Sequence, residues 1–403
     1  MLQEFRGSPR EVAGLSKLAT EIGGDIRAVA TYVREYGYYE SEGQILRSAS
    51  SVLSAYCTLA SDRLADRVLE CEDIGIELNR AAWLYDTSEA ENYELLNLNI
   101  VHPDGQWSST VPEPGRARNY PSAAAYSRAE EPTLPAPDPP ADDLAQVIRD
   151  ATDWLGDVDG AIADTIGRSP VQTIMLPISG NWNVLRSVGA AYATAGEAMR
   201  VGADNLAAGV RQVDPHWDGR AAVAFTEHAG LVEKAIRAEQ PVGEMIDMML
   251  NLAADKIRDG IGHIISTFED ELARLVEVDN GYEAVRLVLK RLSGWVGATI
   301  TVYEIAQILH NAYNRAMELK ESIERVVDSI RTALDFLSDP AERTEQFVRD
   351  KLSPVLEPIG EAAEKARIVQ TVMAGGEGAI DIAEAPDEPY TTGFGTQPWQ
   401  DAT

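Results

Sequence analysis

Residues able to carry covalent or metal chemistry are sparse in this chain. Its five histidines are His102, His216, His228, His263 and His310. None belongs to an H-E-x-x-H pair, and neither a G-x-S-x-G elbow nor a phosphate loop occurs. His216 and His228 flank a tryptophan turn, but no nucleophile with a base stands beside them in the sequence. Cys57 and Cys71 fall in one expected helix, where a rise of 1.5 Å per residue separates them by roughly 21 Å. A disulfide needs Cα atoms within about 7 Å, so the pair reads as two buried small apolar residues. The expectation is a non-enzymatic protein with no catalytic residue, cofactor or metal.

Recognition chemistry is better represented. In "DPHWDGRAAVAF" (Asp214 to Phe225), Asp214 and Pro215 help end one helix and Gly219 permits a turn with positive φ. Trp217 sits at that turn. Ala221, Ala222 and Ala224 then allow close helix approach, and Phe225 returns to the core at helical spacing. A second string, "YDTSE", runs from Tyr85 to Glu89. Its ring and carboxylate are one helical turn apart and share a face, with Leu78 and Ala82 preceding them on it. The other W-x-G strings, Trp154 to Gly156 and Trp295 to Gly297, lie at no clear helix junction and read as core packing.

Helices must position these strings. Val12, Leu15, Leu18, Ile22, Ile26, Val29 and Val33 recur at spacings of three and four, one helical stripe. Ser8 and Pro9 supply a capping hydroxyl and a proline at the first helical position. "EYGYYESEG" (Glu35 to Gly43) breaks the pattern. A second stripe then runs through Leu46, Leu53, Tyr56, Leu59, Leu64, Val68, Leu78 and Tyr85. Nine of the twenty prolines lie between Val101 and Asp142, which marks a flexible linker. Leu144 to Ile166 reads as helix and Arg168 to Asn181 as an irregular connector. Further helices follow over Trp182 to Val213, Ala221 to Val278 with a break at Pro241, and Tyr282 to Leu337. "SDPAE" (Ser338 to Glu342) restarts a helix. No segment alternates with period two.

The expected class is all-α: an elongated helical bundle of two helical-hairpin units joined by the Pro-rich linker. The units are residues 9–97 and 143–352, with a linker over 98–142 and a mostly irregular acidic tail over 353–403. A formal net charge of −30 disfavours nucleic acid and anionic lipid, which need a basic surface. No secretory signal peptide is visible, and no run of about 18 apolar residues offers a membrane span. The most apolar window, Gly294 to Leu309, reads as a buried helix, with membrane contact as its alternative.

The Trp-x-Gly turn followed by small residues and an aromatic resembles the helical hairpins of the WXG family, substrates of type VII (ESX) secretion. The match consists of Trp217, Gly219, Ala221, Ala222 and Phe225. Tyr85 and Glu89 resemble the Y-x-x-x-D/E export signal of the same systems. Their order, signal first and Trp turn second, is similar to a fused PE/PPE pair of actinobacteria, although the Pro-Glu and Pro-Pro-Glu openings are absent. The resemblance covers about residues 10–280. It implies export in the folded state through a composite signal of Tyr85, Glu89, Trp217 and Gly219, exposed at one end of the bundle. It also implies a secretion ATPase as partner, with a secretion chaperone and a homo-oligomer as further candidates. The expected destination is the cell surface or the medium. Alternatives are a cytosolic helical scaffold or adaptor, and the targeting part of a toxin without its catalytic domain.

Overall fold

Helix α1 (Pro9–Tyr36) begins where Pro9 can occupy the first turn without losing a needed N–H. Ser8 caps it by backbone rather than by its hydroxyl, which makes no capping bond. Its carbonyl accepts from the Val12 amide at 3.1 Å, and its own amide is committed to the His216 carbonyl at 3.0 Å. In this computed structural model the described residues are 7–39, 46–97, 118–141, 164, 169, 172, 174, 180–276, 298–338, 362–386 and 390. Among them there is no strand, and the class is all-α.

The remaining helices are α2 (Arg47–Asn97), α3 (Asn183–Val213), α4 (Arg220–Arg237), α5 (Glu239–Val276), α6 (Ala298–Ser338) and α7 (Ala362–Ala383). At 51 residues α2 is roughly 75 Å long. The stripe from Val12 to Val33 on α1 is buried against its counterpart on α2, which runs from Leu46 through Leu53, Leu64, Ile74 and Leu78 to Tyr85. Leu59, expected on that stripe, is 39% exposed, while its neighbours Tyr56 and Ala60 are buried. Cys57 and Cys71 are buried free thiols. Helix α3 packs on α1 and α5, and α5 also carries α6 and α7. Among the described residues no helix is long and apolar enough to cross a membrane. That covers the part of the Gly294 to Leu309 window that lies in α6; its first residues, 294–297, are outside the described ones.

Two local rules fix how the helices meet. The chain breaks at Ala238, three residues before the proline expected to break it. Pro241 falls in the first turn of α5, where a missing N–H costs nothing. Its neighbour Glu239 uses the same helix start: both carboxylate oxygens accept from Arg63 on α2, at 2.7 and 2.8 Å. Burial opposes the Arg63 charge, but Glu239 and the Tyr56 hydroxyl outweigh it and raise its pKa. The second rule is close approach. A Cβ on Gly243 of α5 would collide with the Tyr192 carbonyl of α3, so the backbones touch there only because glycine is present.

Two segments depart from the sequence reading. The tail, expected to be mostly irregular, contains helix α7, which runs through the glycine-rich "MAGGEGAIDIA". A Cβ on Gly378 would meet the Ala238 carbonyl at 2.8 Å, so tertiary contact favours glycine inside this helix. The second is the linker, which over residues 118–141 is hydrogen-bonded to the helices. It is an extended strap fastened along α1, α2 and α3. Asn205 accepts from the Ala129 amide (2.9 Å) and donates to the Glu130 carbonyl (2.8 Å). Asn79 does the same for the Tyr120 amide (2.9 Å) and the Arg118 carbonyl (3.3 Å). Each amide side chain thus pairs as a backbone peptide would. Trp83 donates to Arg118 (2.7 Å), Tyr32 to Pro135 (2.8 Å) and Asn183 to Ala141 (2.9 Å). Proline removes donors and leaves carbonyls, and the helices present donors to match.

Residues 98–117 and 142 of the linker lie outside the described residues. So do most of Leu144 to Ile166, most of the following connector, and Asp339 to Glu342.

Gly243→Val will destabilise the fold by about 1–3 kcal/mol through overpacking against α3. Gly262→Ala in the same helix, with nothing within 4 Å of its Cβ, will gain about 0.5–1 kcal/mol. Urea denaturation compares the two. Asn205→Ala removes its three bonds to the strap, at the Ala129 and Glu130 amides and the Glu130 carbonyl, costing about 1–3 kcal/mol of local stability. Hydrogen exchange at residues 129 and 130 will then accelerate while exchange in α5 stays unchanged.

Candidate functional site at the tryptophan turn

Helix α3 ends at Val213 and tightens into a single 3-10 turn, Asp214–His216. Trp217 follows in extended conformation (φ −142°, ψ 117°), which allows an antiparallel bridge to Gly7 just before α1. Gly219 then adopts φ 93°, ψ −174°, a region closed to residues with a Cβ, and α4 starts at Arg220. The sequence therefore needs the glycine two residues after the tryptophan. Without it, the chain could not extend the tryptophan and restart a helix immediately.

The turn drives the indole inward. Its Nε1–H donates to the Tyr85 hydroxyl at 2.8 Å, across 132 residues of chain. The two rings meet edge to face, with centroids 6.4 Å apart. Phe225 packs against the other side of the indole at 5.3 Å. Leu78 and Ala82 are fully buried on the face of α2 that leads to Tyr85, and Ala221 and Ala222 are buried at the start of α4. Burial raises the Tyr85 hydroxyl to about 12, with the nearby Asp218 adding to the rise and the indole donor opposing it.

This corrects the expectation of exposed signal residues. Tyr85 is 2% exposed and Trp217 3%. The indole has one polar group, its N–H, and the Tyr85 oxygen accepts from it, so the Trp217 ring can leave water without stranding its donor. Glu89 lies one turn further along α2, and its side chain is outside the described residues. What the turn leaves open to solvent is Asp214, Pro215, His216, Gly219, Arg220 and Val223, the last 57% exposed. The other two W-x-G strings also fall outside the described residues.

One site residue, Tyr390, escaped the sequence reading, and a second, His228, was read only as flanking the turn. Tyr390, beyond α7, is buried with its ring 5.5 Å from Phe225 and 5.4 Å from His228. Burial, with Tyr85 and Glu77 close by, raises its hydroxyl pKa. His228 is held below its usual value by burial, and its Nε2 is buried without a hydrogen-bond partner. No periodicity flags Tyr390, because it stands alone among prolines and acids in "APDEPY". Among the described residues no group of His, Cys, Asp and Glu could hold a metal ion. The site thus offers an aromatic joint and a set surface around it. No protein-family model, curated protein or solved structure matches the chain.

Tyr85→Phe will leave the indole N–H buried and unpaired, costing about 1–3 kcal/mol of stability. Adding Trp217→Phe will cost less than the sum of the two single changes. A double-mutant cycle in urea, with unchanged denaturant slopes, measures the coupling.

Proposed function

We propose that this chain is a non-enzymatic, all-helical substrate of a type VII secretion system, carried to the cell surface or medium in the folded state. The observation that supports this most is the hydrogen bond from Trp217 to Tyr85, which joins the Trp-x-Gly turn to the helix carrying Tyr85 and Glu89. A composite signal requires its two halves to be held together, and this joint holds them. Because the rings are buried, their part in recognition is positional. They fix the exposed turn around Arg220 and Val223 against the next turn of α2, where Glu89 lies. The secretion ATPase, alone or with a secretion chaperone, would read that combined surface. Self-association of the exported protein fits the same reading, and nucleic acid is disfavoured by the charge of −30.

The test is export from a host with an intact type VII system, comparing culture filtrate with lysate for wild type, Glu89→Ala, Tyr85→Ala and Trp217→Gly. Wild type will be outside. Glu89→Ala will be retained with wild-type helicity and thermal stability. The two ring variants will be retained with reduced stability. Retention of wild type itself would favour a cytosolic scaffold and reduce the Trp turn to a packing device.

A further inference from the structure

Tyr390 is the described residue furthest along the chain, and it is seated in the aromatic joint rather than beside it. Its ring meets Phe225 edge to face (5.5 Å, 74°) and lies tilted over the His228 imidazole (5.4 Å, 44°). Phe225 is in turn the residue that backs Trp217. One side chain from the tail therefore completes a cradle built by α4. Before it in sequence come the buried Ala385 and an ion pair of Lys234 with Asp381 and Glu384, whose lysine side chain is 46% exposed. Such pairs in water hold weakly. The cradle also contains a polar atom that closure leaves unpaired, His228 Nε2. Opening would let water reach it, so the closed arrangement carries a built-in penalty.

We propose that Phe225 and His228 form a site for a single aromatic side chain on an extended peptide, and that Tyr390 of the chain's own C-terminal segment occupies it as a displaceable plug. The preferred occupant is this segment, "PDEPYTTG", which carries a single aromatic ring. Displacing it uncovers Phe225 and the face of His228 next to the Trp217 turn. The site is a property of the folded chain and does not depend on export.

The probe is the peptide PDEPYTTG with a fluorinated tyrosine, followed by ¹⁹F NMR against the full chain. Tyr390→Ala, which empties the cradle, will bind it saturably. Wild type and Tyr390→Phe, whose tethered rings compete at an effective concentration on the order of millimolar, will bind it at least about tenfold more weakly. The same peptide with alanine in place of tyrosine will bind neither. Equal binding to Tyr390→Ala and wild type, or no binding to either, overturns the proposal. So does loss of helical circular dichroism in Tyr390→Ala, which would make Tyr390 a core residue rather than a plug.

Discussion

A buried indole N–H must find an acceptor, and much of this molecule is arranged so that Trp217 finds one. The acceptor is the Tyr85 hydroxyl, far along the longest of the described helices. To bring them together, α1 must lie along α2, α3 must lie on α1, and the turn after α3 must return at the right height. The bridge from Gly7 to Trp217 ties the start of α1 to the same point. If the indole lost its acceptor, the cost would fall where these helices converge.

The rest of the architecture brings helix backbones close enough for that joint to form. Glycine at position 243 lets α5 touch α3, and the Arg63–Glu239 pair fixes α5 against α2. The strap then runs across α1, α2 and α3 and closes the seam with its carbonyls. Both charges of the Arg63 pair are nearly buried, with side-chain exposures of 14% and 8%. Losing either partner would strand the other in a poor solvent.

The helices were legible because their stripes are long and regular: Val12 to Val33 and Leu46 to Tyr85 recur at helical spacing over many turns. The Trp217 turn was legible because Gly219 has a local conformational reason to be there. The strap was misread because proline density signals extended backbone equally well in a flexible linker and in a fastened one. What distinguishes them here is a pair of asparagines, Asn79 and Asn205, on helices far away in sequence. Helix α7 was misread for a similar reason, since Gly378 weakens it locally and is required only by its contact with Ala238. The exposure of Tyr85 and Trp217 was misjudged because the Tyr85 oxygen accepts from the buried indole N–H, which neither string reveals alone. Tyr390 had no local signal at all.

The composition of the strap has a consequence for how this chain behaves beside its own copies. An extended segment on the outside of a protein is normally an open edge, with amides and carbonyls free to template another strand. Here six prolines (Pro121, Pro132, Pro135, Pro137, Pro139 and Pro140) remove amides from that edge, and the helices occupy many of its carbonyls. The strap can be held by side chains, yet it offers a neighbouring chain little to pair with. A protein rich in helix thereby carries a long extended segment without acquiring the aggregation hazard of a sheet.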